Sequence, residues 1–112
     1  MSDFLEFLLE QLRDLEGGVT ARAMFGAHGL YSGGTFFAIV WRGTLYLKTD
    51  ARSRSQYVRR GMTPFQPNAK QTLKRYYQAP ADVIDSRRQL LEWSERAVRA
   101  RDSATSRRPQ KA

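Results

Sequence analysis

The sequence predicts a two-layer α+β fold: one antiparallel sheet of about five strands with the terminal helices packed on one face. Three observations predict it. Apolar residues recur at helical spacing near both ends of the folded stretch. From Val19 to Thr49 the period changes to that of strands. The connections inside that stretch are far too short for parallel crossovers.

The first element is an amphipathic helix. Ser2 is a suitable N-cap, with Asp3 and Glu6 in the first turn, where the helix dipole favours acids. Phe4, Leu5, Leu8, Leu9, Leu12 and Leu15 form its apolar stripe, and Gly17-Gly18 stops it. The stripe spans under two heptads, so it reads as a core-facing helix rather than a zipper. Val19 to Phe25 reads as a strand, Gly26-Ala27-His28-Gly29 as a turn, and Leu30-Tyr31 as the start of a second strand. Gly33-Gly34 signals a hairpin. Phe36 to Trp41 is apolar on both faces, as a central strand would be, and Arg42-Gly43 turns the chain into Thr44–Thr49.

Asp50 or Thr49 can cap a short helix ending at Gly61, and Pro64 and Pro67 predict an extended link. Leu73 to Tyr77 reads as a last strand, with Leu73, Arg75 and Tyr77 on one face and Lys74 and Tyr76 on the other. Ser86-Arg87-Arg88-Gln89 is a capping box that opens a helix carrying Leu90, Leu91, Trp93, Ala97 and Val98. The expected order is α-β-β-β-β-α-β-α over residues 1–101. The polar, basic residues 102–112 have nothing to bury and predict a disordered tail.

At 112 residues with 41% hydrophobic content, there is material for one core. The absence of Cys excludes disulfides and thiolate metal sites. The N-terminus lacks a basic region and has acids inside its apolar stretch, which argues against a signal peptide. No run approaches the roughly 18 apolar residues of a membrane span. The expected location is the cytoplasm.

The net charge of +8 is unevenly spread. Residues 1–18 hold five acids and one base, while the stretch 51–75 holds Arg52, Arg54, Arg59, Arg60, Lys70, Lys74 and Arg75 with no acid. Such a field attracts polyanions or an acidic protein face. Arg52 and Arg59 share a face of the short helix and Arg54 lies on another. The bases therefore fan out, which suits a diffuse phosphate-facing surface or plain solvation better than groove readout. These seven residues are the candidate contacts for nucleic acid or a partner.

Catalytic motifs are missing. His28 is the only histidine and is expected in an exposed turn without a paired nucleophile. Gly26-x-x-Gly29 has the spacing of the KH clamp loop but sits between strands, where a tight turn explains it. There is no phosphate loop and no carboxylate pair, so neither an enzyme nor a cofactor is expected. Tyr76-Tyr77 beside Lys74-Arg75 mixes aromatics with bases, as single-strand binders do. The reading preferred here places Tyr77 in the core and Tyr76 on a sheet face.

Several segments in order carry a family resemblance: Ala21-Arg22-Ala23-Met24-Phe25-Gly26, Gly29-Leu30-Tyr31, Phe37-Ala38-Ile39-Val40, Leu45-Tyr46-Leu47-Lys48-Thr49-Asp50, Pro64-Phe65, Tyr76-Tyr77 and Leu91-x-Trp93. Together they resemble the N-terminal domain of the TfoX/Sxy regulators of natural competence, from about Phe4 to Val98. The family's usual second glycine is Ala27 here, and Lys74-Arg75 stands where small residues are usual. Full-length members carry a further helical domain, so a stand-alone N-terminal domain is expected. The resemblance implies an α+β domain acting in bacterial transcription control, with the cyclic-AMP receptor protein or RNA polymerase as partner. It carries no catalytic residues over. The alternatives are a protein-interaction or homodimerising module without a DNA role, and a non-specific nucleic-acid binder acting through 51–75.

Overall fold

The computed structural model describes residues 3–24 and 26–100. The expected cap at Ser2, the strand end at Phe25 and the tail 102–112 lie outside the described residues. The elements run α1 (Asp3–Gln11), β1 (Thr20–Met24), β2 (Ala27–Ser32), β3 (Thr35–Trp41), β4 (Thr44–Lys48), α2 (Ala51–Arg59), β5 (Pro64–Asn68), β6 (Gln71–Gln78), α3 (Ala81–Ile84) and α4 (Arg87–Arg99). The fold is α+β.

All strand pairs are antiparallel, in the order β1-β2-β3-β4-β6-β5. The first four strands form the expected meander with β3 inside it. The Arg42-Gly43 loop has φ 50° and 74°, and the Gly33-Gly34 loop has φ 56° and 84°. Positive φ at both loop residues matches the right-handed twist of the flanking strands.

Four local readings need correction. The sheet has six strands rather than about five, because the proline-containing stretch is strand β5 and not a free link. It pairs only with β6 and forms the sheet edge, where missing N–H groups are tolerated. The turn between β1 and β2 is tighter than expected, since Met24 pairs with Ala27. His28 and Gly29 therefore lie inside β2, and His28 is half-buried rather than in an exposed turn. The alternation along β6 is interrupted: Pro64 pairs with Tyr77 but Phe65 pairs with Leu73. Leu73 is thus set opposite Phe65 and stays 39% exposed. Finally, the short helix α3 falls in a stretch with no periodic pattern to announce it.

The helices cover one face of the sheet. Leu5, Leu8, Leu12 and Leu15 are buried against Leu30, Phe37, Val40, Leu45 and Leu47, with Tyr57 and Tyr77 beside them. Leu90, Trp93 and Ala97 of α4 complete this core. Helix α1 ends at Gln11, but turns closed by Leu15 N–H to the Leu12 carbonyl and Gly18 N–H to the Leu15 carbonyl carry the Leu stripe on. Asp14 then meets Arg87 at 2.6 Å, joining the end of this segment to the start of α4.

Candidate polyanion and partner surfaces

Helix α2 and its C-cap residue Arg60 position four of the seven predicted bases. Asp50 is its N-cap: the carboxylate accepts from the Ser53 N–H at 2.8 Å, and Ser53 Oγ accepts from the Asp50 N–H at 3.0 Å. The first of these bonds holds the Asp50 carboxyl below its usual range. Gly61, at φ 77°, ends the helix; its N–H reaches the Val58 carbonyl and the Met62 N–H reaches the Tyr57 carbonyl. That pair of bonds is a Schellman closure.

The predicted bases split into two groups. Arg52, Arg59, Lys70, Lys74 and Arg75 are exposed, the first two on α2 and the others on the β5–β6 hairpin. Arg54, half-buried, and Arg60, also exposed, make the contacts that hold α2. Arg54 Nε donates to Thr49 Oγ1 at 3.2 Å, and that hydroxyl donates to the Arg75 carbonyl at 2.8 Å. Arg60 Nη2 contacts both carboxylate oxygens of Asp82 at 2.6 Å and lies 5.5 Å from the Trp93 ring centre. The Arg60 contact holds the Asp82 carboxyl below its usual range. The structure thus brings α2 and β6 together through Thr49, and it uses two of the seven bases to fix α2 in place.

Sequence reasoning missed a second surface. The sheet face away from the helices holds its own cluster: Ala27, Ile39 and Phe65 buried, with Phe36, Trp41, Tyr46 and Tyr76 half-buried around them. Every member lies on a strand. Two runs of rings cross it. Tyr31, Phe36 and Tyr76 follow one another at 5.1 and 5.4 Å between centres. Trp41 and Tyr46 flank Phe65 at 5.4 and 4.8 Å. Gly29 leaves room for the first run, since a Cβ there would sit 2.9 Å from both Met24 Sδ and a Phe36 ring carbon. Burial pushes the Tyr76 hydroxyl up to about 12, and it raises Tyr46 too, so both phenols are neutral at physiological pH.

Cations border these rings. The Arg22 guanidinium lies 5.4 Å from the Tyr31 ring centre and that of Arg42 lies 4.6 Å from Trp41. Lys48 pairs across the sheet with Tyr76. No acid occurs in residues 17–49 or 51–81, so all six strands are free of carboxylates. The absence of acids from the strands was readable in the sequence. Tyr76 and Tyr77 divide as preferred: Tyr77 packs 5.9 Å from Tyr57 in the helix-side core, and Tyr76 joins the open face.

Two shallow clefts lie elsewhere. One of 220 Å³ opens among Phe4, Leu45, Ala79 and Ile84 with Asp85 at its rim. Another of 300 Å³ lies among Leu15, Glu16, Glu95, Val98 and Arg99. Among the described residues, no three His, Asp or Glu side chains gather as a metal site would require. No described helix is long and apolar enough to cross a membrane. In comparison with known families, residues 10–101 match the one described as the TfoX N-terminal domain. No curated protein matches the chain.

Proposed function

The chain belongs to the TfoX N-terminal domain family, and on that premise we propose that it is a non-catalytic regulatory binding module of transcription, of the competence-regulator type. The observation that carries this reading is the family match, which spans all six strands together with α2 and α4. The proposed partner is a transcription factor of the cyclic-AMP receptor protein type or RNA polymerase. Arg52 and Arg59 on α2, with Lys70 and Lys74 on the neighbouring hairpin, present a basic surface suited to an acidic protein face.

The test is capture of these two candidates by the immobilised protein, combined with expression profiling of a deletion strain. Capture of either, weakened by Arg52→Glu and Arg59→Glu together, is expected alongside an altered transcript profile. An unchanged profile with neither candidate captured would sink the reading.

A further inference from the structure

We propose that the helix-free face of the sheet is a binding platform for single-stranded nucleic acid. Bases stack on the Tyr31–Phe36–Tyr76 and Trp41–Phe65–Tyr46 runs, and Arg22, Arg42 and Lys48 take the backbone phosphates. This inference does not rest on the docking reading above; it comes from the chemistry of one face. Unpaired bases recognise two things, flat aromatic rings and a positive border, and this face supplies both.

The rings are spread over β2, β3, β4, β5 and β6. Outside Phe65 they are half-buried, and no described helix packs over them, so ring surface stays open to a ligand. The guanidinium groups of Arg22 and Arg42 lie over the Tyr31 and Trp41 rings; on binding each swings off its ring to admit a base and reaches the phosphate that follows it. No carboxylate on any strand opposes the strand's phosphates. Duplex is disfavoured, because its bases are already stacked on one another and offer no free face to the rings. A second copy of the chain is disfavoured as well, since two such faces would set cation against cation.

The molecule has two tryptophans, Trp41 on this face and Trp93 in the helix-side core. In Trp93→Phe, fluorescence therefore reports Trp41 alone. Titration with an oligothymidine of about 12 nucleotides, within the span such platforms hold, should quench it. A labelled strand should show a matching rise in anisotropy with the unaltered protein. Three phosphate contacts predict that log K falls against log salt with a slope of about −2. Tyr31→Leu and Tyr76→Leu, checked for unchanged circular dichroism, should together weaken binding about tenfold or more. Arg52→Glu with Arg59→Glu should leave the Trp41 quench at saturation intact.

Three outcomes would overturn the proposal. One is no anisotropy change at low salt. Another is binding without Trp41 quenching that is lost on the α2 charge reversals, which places the strand on the other basic surface. The third is a doubled mass by light scattering that Tyr76→Leu abolishes, which assigns the face to a second copy.

Discussion

Ser94 lies in the middle of α4, fully buried, and its hydroxyl has no hydrogen-bond partner among the described residues. A buried hydroxyl left unpaired forfeits its bonds to water, at a cost of about 1–3 kcal/mol by mutational measure. The lost oxygen leaves only a small void, and alanine also favours the helix by a few tenths of a kcal/mol. Ser94→Ala is therefore expected to stabilise the protein by about 1 kcal/mol. Urea denaturation checks this: the midpoint should rise with an unchanged slope. A lower midpoint would mean that the hydroxyl is bonded in solution. Arg60 shows the opposite case at the same scale, because its guanidinium is engaged at once by Asp82 and by the Trp93 ring. The sequence places Arg60 in a run of bases and gives no sign that it is tied down.

Helix α2 shows how an element with little apolar surface is held. Only Ser53 and Tyr57 are buried along its length, so its two ends carry much of its definition. Asp50→Ala removes the N-cap acceptor and should cost about 1 kcal/mol at neutral pH. The folded-state carboxyl is lowered, so its contribution is fully present above the unfolded value of about 3.9 and is lost as pH falls through the folded value. The stability gap between the two proteins should thus close in acid, as paired urea titrations would read. A gap that persists at low pH would place the effect elsewhere. The cap was legible because it is local, as were the Leu stripe of α1, the Gly33-Gly34 hairpin and the Ser86 cap, whose Oγ accepts from the Gln89 N–H at 3.2 Å. Strand β5 was not legible: pairing of a proline-containing segment is decided by β6, which enters the sheet between β4 and β5. The aromatic face was hidden for the same reason. Its rings come from five strands, and only helix docking on the other side decides which face stays open.

Across the whole molecule the two layers differ in charge as well as in shape. Among the described residues the acids lie in the helical layer and the turns that join it, and the charged residues of the strands are all bases. The layers nevertheless share one core, which the first helix helps to fill. Leu5 and Leu8 are 0% exposed, although the family match begins only at residue 10. A chain starting at residue 10 would retain the entire matched region and lose both side chains, with Phe4 besides. Truncating one buried leucine to alanine costs about 2–5 kcal/mol. Two such losses, about 4–10 kcal/mol, compare with the total of about 5–15 kcal/mol that holds a domain folded. Core side chains left uncovered by the loss would add apolar surface exposed to water. The shortened chain is therefore expected to lose its cooperative thermal transition, followed by circular dichroism, and to be cleaved rapidly by protease. Leu8→Ala in the full chain should keep the transition and lower its midpoint, which separates loss of packing from loss of the backbone segment. If the shortened chain melted cooperatively within a few degrees of the full one, the helix-side face would have to close without α1, and the two-layer account of the core would fail.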